Sequence, residues 1–142
     1  MKLINFKRGL SSSSTFLKIV DLWDLESKIS LKNISGSYMS FLCYYIIKEK
    51  KGNHLFILPD KEEALYFFND LENLFKEEEV KLLFYPASYR RPYQIMDSDS
   101  TSILQRTEVI DSIDKKRNVL IIVTFPEAII EKVVEKENFK RN

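Results

Sequence analysis

Residues 119–124 read Val-Leu-Ile-Ile-Val-Thr, and Phe125-Pro126 closes the run. An unbroken series of aliphatic, mostly β-branched residues with no polar alternation asks for burial on both faces, the pattern of a strand inside a parallel sheet. Pro126 suits the first turn of a helix, and the spacing predicts that helix over 126–136. Two further runs share this design: Leu55-Phe56-Ile57-Leu58 stops at Pro59, and Val80 to Tyr85 stops at Pro86. After the first, Asp60 with Glu63 three residues later forms a variant of the capping box. It opens a helix over 61–76 with Leu65, Phe68, Leu71, Leu74 and Phe75 on one side. After the second, Ser100 or Thr101 can cap a helix over 102–115, with Ile103, Leu104, Thr107, Ile110 and Ile113 as its inner face.

Upstream the same alternation continues. Ile29 to Ile34 alternates apolar and polar residues and reads as an opening strand; Ser35-Gly36-Ser37 is a turn, and 37–51 is a mostly apolar helix stopped at Gly52. A serine run offers N-cap oxygens to a first helix over 12–28, carrying Phe16, Ile19, Val20 and Trp23 at helical spacing. Strands separated by helices, with right-handed connections, predict an α/β fold: a three-layer, open, mostly parallel sheet. We expect an N-terminal extension and helix over 1–28, one α/β unit over 29–136 and a frayed tail over 137–142.

Composition narrows the function classes. The chain has 142 residues, enough for one domain with its own core. Its 22 basic and 21 acidic residues leave a net charge of +1, so no global electrostatic footprint marks it for nucleic acid or a membrane surface. No apolar run approaches the roughly 20 residues of a membrane span, and the N-terminus lacks the apolar segment of a secretory signal, so a cytoplasmic, soluble protein is expected. Cys43 and His54 are the single residues of their kinds; they can form neither a disulfide nor a metal cage, and His54 reads as a strand-entry residue rather than a catalytic base. The sequence offers no nucleophile–base pair, so no catalytic residue, cofactor or metal is assigned.

In α/β sheets, sites form beyond the carboxyl ends of the strands. At the first such end, a phosphate-binding G-x-x-x-x-G-K-[ST] loop would fall on Asn33-Ile34-Ser35-Gly36-Ser37-Tyr38-Met39-Ser40. Only Gly36, Ser37 and Ser40 fit. Asn33 and Tyr38 stand where glycines are needed, and Met39 replaces the lysine that neutralises the β- and γ-phosphates. The location suits a nucleotide and the chemistry does not. A second constellation, Tyr85-Pro86-Ala87-Ser88-Tyr89-Arg90-Arg91-Pro92-Tyr93, opens the long irregular stretch 86–100. Arginines among tyrosines can hold a loop to its own domain, anchor a protein partner, or bind phosphates and stack bases. A third set, Asp60, Asp97 and Asp99, lacks the acidic pair of a phosphoacceptor site; these residues read as caps and turn formers.

The strings FYPASYRRPYQ, ILQRTEVIDSI and VLIIVTFPEAIIEKVV, with LFILPDKEEALYFFNDLENLF before them, resemble the opening module of the bacterial transcription-repair coupling factor (Mfd) family. That module is similar to the helicase-type B subunit of the bacterial excision nuclease. The resemblance covers roughly 25–135 and is most specific at 84–93 and 119–128. It implies a P-loop NTPase-like, RecA-like half domain with a degenerate nucleotide site, in agreement with Asn33, Tyr38 and Met39. It also implies a parent that uses ATP and magnesium to translocate on DNA, displaces stalled RNA polymerase, and recruits the excision nuclease's A subunit through a following domain. The piece itself would be a non-catalytic scaffold, with Tyr89, Arg90, Arg91, Tyr93 and Arg106 as packing or partner residues. A stand-alone nucleic-acid-binding module using the 85–93 loop is the alternative.

Overall fold

The computed structural model describes residues 13–88, 98–113, 115 and 119–131. Among them, α1 (Ser14–Leu25) and α2 (Tyr38–Glu49) precede β1 (Gly52–Ile57), followed by α3 (Lys61–Leu74), β2 (Lys81–Phe84), α4 (Ser98–Ile113), β3 (Val119–Thr124) and α5 (Pro126–Ile130). The three strands form one parallel sheet in the order β1-β3-β2. The fold class is therefore α/β with a small, open, parallel sheet. No helix among the described residues is long and apolar enough to cross a membrane.

The central position of β3 follows from its sequence. Leu120 to Thr124 are all buried, because an uninterrupted aliphatic strand is stable only between two covered faces. On one face Ile121 and Val123 join Phe84 of β2 against α3 (Ala64, Phe67, Leu71, Leu74) and α2 (Cys43, Ile47). On the other, Leu120 and Ile122 join Leu83 against Val109 of α4. The connections explain this division. The step from β1 to β2 and the return from β2 to β3 run in opposite directions across the sheet, so right-handed crossovers place α3 and α4 on opposite faces. Outside the sheet, α1 packs Phe16 and Ile19 onto Leu42 and Ile46 of α2. Asp60 caps α3 as its sequence requires, Oδ1 accepting from the Glu63 amide at 2.9 Å. Gly52, at φ +132°, takes a backbone conformation open to glycine as the chain turns into β1.

Five expectations need correction. Residues 29–34 form no strand; the stretch between α1 and α2 is irregular, with Asn33 in a left-handed conformation at φ 60° that interrupts any extended run. Strand β1 is covered on one face only: Leu55 and Ile57 are 58% and 54% exposed, although their apolar run predicts burial on both. Helix α4 starts at Ser98, so Ser100 and Thr101 lie within it rather than capping it. Its inner face is also rotated. Arg106, Val109 and Ser112 are buried, whereas Ile103, Leu104 and Ile113 are exposed, because Arg106 is drawn inward by the oxygens described below. In α3, likewise, Ala64 and Phe67 point inward and Leu65 is exposed. Helix α5 is described to Ile130; residues 132–136 of the expected longer helix, and the 137–142 tail, lie outside the described residues.

These burials set the expected mutational order. Leu71→Ala, at a fully buried position, should destabilise the chain by about 2–5 kcal/mol in urea titration. Leu104→Ala, at a 70% exposed position, should stay within about 0.5 kcal/mol of the parent. The reverse order would show that α4 presents its Ile103–Leu104 side to the sheet.

Candidate functional site

The carboxyl ends of β2 and β3 are joined by one buried cation. Arg106 is 7% exposed, and α4 brings it under the turns that follow both strands. Its Nη1 donates to the Pro86 carbonyl at 2.8 Å and the Ala128 carbonyl at 3.1 Å, and pairs with Glu131 Oε2 at 3.2 Å. The guanidinium carbon lies 4.3 Å from the centroid of the Tyr85 ring, within cation–π range. Glu131 is held from its other side: the Ser88 amide donates to Oε2 at 2.7 Å and the Ser88 hydroxyl to Oε1. Thr124 closes the ring of contacts by donating through Oγ1 to the Tyr85 carbonyl at 2.9 Å.

This geometry decides what Arg106 can do. A desolvated guanidinium needs a counter-charge and acceptors, and here it has both. Burial alone would raise the Glu131 carboxyl; the Ser88 hydrogen bonds and Arg106 overcome that and hold it below its ordinary value. Burial pushes the Tyr85 phenol up, with Arg106 opposing and Glu131 adding to the rise. With Nη1 turned onto Pro86, Ala128 and Glu131, Arg106 ties together segments of its own fold. Tyr89, Arg90, Arg91 and Tyr93 themselves lie outside the described residues.

The bend before α2 is the second candidate. Asn33 and Gly36 both adopt left-handed backbone, at φ 60° and 57°. Ser37 stands at the N-cap in a right-handed helical conformation and makes no side-chain capping bond. Tyr38 opens the helix with its ring 5.9 Å from that of Phe16, tying the bend to α1. Met39 faces an apolar cavity of about 550 Å³ shared with Trp23, Ile34, Cys43 and His54. Ser40, where a phosphate loop would present a hydroxyl to magnesium, is buried and donates to Asp70 Oδ2 of α3 at 2.8 Å. A carboxylate beside the first turn of a helix is favourable for the helix and repels an incoming phosphate. The bend lacks the preceding strand on which a phosphate loop is built.

Asp70, Ser88, Thr124 and Glu131 carry these two clusters, and no spacing in the sequence singles them out. Each acts across the fold, from a different helix or turn than its partner. The capping role of Asp60 was legible, since its partner lies one turn away. His54 Nε2 lies 2.7 Å from the Lys50 carbonyl and its ring stacks on Phe56, the position of a strand-entry residue. Burial pushes the Cys43 thiol up to about 12. Among the described residues no group of three or more His, Cys, Asp or Glu side chains gathers as a metal site.

Removing the buried member of this pair should be costly. Arg106→Met leaves the half-buried Glu131 without its counter-charge and the Pro86 and Ala128 carbonyls without their donor, and is expected to cost about 1–3 kcal/mol in chemical denaturation. The pH dependence gives a second measure. Because the Glu131 carboxyl is depressed from 4.5 in the folded chain, its contribution is full above about that pH and is lost as pH falls through the folded value. The stability gap between the parent and Glu131→Gln should accordingly be flat at neutral pH and narrow below about pH 4.5; a gap unchanged down to acid unfolding would show that the ion pair contributes nothing.

No protein-family model, curated protein or solved structure matches the chain.

Proposed function

We propose that this chain is a non-catalytic α/β scaffold, a degenerate P-loop NTPase-like subdomain of the kind that opens transcription-repair coupling factors. In a parent of that type, ATP hydrolysis, DNA translocation, displacement of RNA polymerase and recruitment of the excision nuclease's A subunit fall to other domains. The contribution of this piece is a rigid surface on which those domains pack. The observation that carries the reading is the bend at 33–40. Its lysine position is Met39, its glycine positions are Asn33 and Tyr38, and its Ser40 hydroxyl is committed to Asp70. Without the lysine, no side chain of this stretch neutralises the β/γ-phosphate charge, and the Asp70 carboxylate adds to it. The Arg106 cluster supports the same reading, because a helix arginine that could have served as a phosphate contact is spent on internal carbonyls and Glu131.

Isothermal titration of the chain with ATP and magnesium should give no binding heat, in the parent and in Asp70→Ala alike. Micromolar binding by the parent would overturn the scaffold reading, and binding by Asp70→Ala alone would show that one carboxylate, rather than the lost lysine, closes the site. A parallel titration with duplex and single-stranded DNA should show no affinity at physiological salt. Binding that falls steeply with salt and is lost in an Arg90→Ala, Arg91→Ala variant would favour a nucleic-acid-binding module instead.

A further inference from the structure

Strand β1 is an edge of the sheet, paired among the described strands with β3 alone. The Leu58 amide donates to the Thr124 carbonyl, so the alternate residues Asn53, Leu55 and Ile57 turn their backbone groups away from β3. Two apolar cavities flank this edge, one on each face of the sheet. The first, of about 550 Å³, lies on the α2 side, where Leu42 and Ile46 meet Trp23 of α1 and Leu31 and Ile34 of the α1–α2 connection. The second, of about 450 Å³, lies on the α4 side among Leu55, Leu120, Ile122, Val109 and Ile113. Both cavities touch Asn53, His54 and Leu55, and no Lys, Arg, Asp or Glu among the described residues lines either.

We propose that this edge is a docking site for an extended apolar peptide segment of a partner protein, which adds to the sheet beside β1 and sends alternate side chains into the two cavities. Three features select such an occupant. The first is the backbone. Asn53, Leu55 and Ile57 present a series of main-chain donors and acceptors that another extended chain meets in register, and that a helix or a small apolar molecule leaves unmet. The second is alternation. Successive side chains of a strand point to opposite faces of its sheet, and the two cavities open on opposite faces beside the same residues. The third is polarity. Leu55 and Ile57 stand 58% and 54% exposed at the edge, and cavities without charge take aliphatic or aromatic side chains. A second copy docking its own β1 here fits less well. On the α2 face that strand carries His54 and Phe56, which stack on each other, with Phe56 also packed on Phe67 of its own domain, so neither is free to fill the larger cavity. The proposal does not rest on the scaffold reading, which turns on phosphate chemistry.

Titration of the full isotope-labelled chain with a short synthetic peptide tests it. The probe is an alternating valine–isoleucine segment flanked by lysines, N-methylated at every second amide so that one backbone edge alone can pair; the control is the same peptide methylated at every amide. Saturating probe should slow hydrogen exchange of the Asn53, Leu55 and Ile57 amides by about tenfold or more. It should also shift the methyl resonances of Leu31 and Ile34 on one face and of Leu55 and Ile122 on the other, and the control should do neither. Leu55→Lys puts a charge on the edge and should weaken binding by about tenfold or more, with Ile57→Lys as the second variant should the first fold poorly. Absence of any shift, shifts in one cavity only, or binding that survives methylation of every amide would overturn the proposal. So would protection of the same three amides without peptide, including protection that grows with chain concentration, since the edge would then already be taken, in the latter case by a second copy.

Discussion

A single guanidinium buried among oxygens holds the upper end of this fold together. Arg106 cannot lie under the sheet's carboxyl edge without its acceptors, and these come from two segments: Pro86 after β2, and Ala128 and Glu131 in and just after α5. Desolvating the charge is unfavourable, and only the simultaneous presence of the carbonyls, the carboxylate and the Tyr85 face offsets it. The rotation of α4 and the placement of α5 both follow. The energetic character is that of specificity more than strength: an apolar residue of the same volume would fill the space, but would not dictate which turns meet.

The central β-strand was legible because its signal is local and redundant. Val119 to Thr124 has no polar member until its last residue, and its neighbours Pro126 and Ala128 begin a helix in the ordinary way. Asp60 was legible for the same reason, its partner Glu63 lying one turn away. What failed to show was set by distant partners. Ile103 and Leu104 looked like a core face, yet the rotation of α4 is decided by Arg106, whose acceptors lie far away in sequence. Ile29 to Ile34 alternates like a strand, but Asn33 takes a left-handed turn, and the segment lies against the α1–α2 side of the molecule with Leu31 and Ile34 beside Trp23 and Met39. Local pattern and global placement disagree there, and placement wins.

The candidate site divides along the same line. The loss of a phosphate loop could be read directly, since Asn33, Tyr38 and Met39 are identities at fixed positions. That Ser40 is occupied by Asp70 could not, because the two residues sit on separate helices brought together by packing of α2 on α3. In the sequence the Tyr/Arg string forms one unit. Its first part, Tyr85 to Ser88, belongs to the internal cluster; Tyr89 to Tyr93 lie outside the described residues.

One feature of β1 bears on how this chain behaves in company. The Leu58 amide donates to Thr124, and alternation along a strand turns the amides of Phe56 and His54 the same way, leaving those of Asn53, Leu55 and Ile57 directed outward. Nothing in Gly-Asn-His-Leu-Phe-Ile blunts that margin; it has no proline, no bulge and no lysine. Among the described residues no further strand pairs with this margin. Those outward amides are the part of the sheet whose hydrogen bonding no described strand supplies.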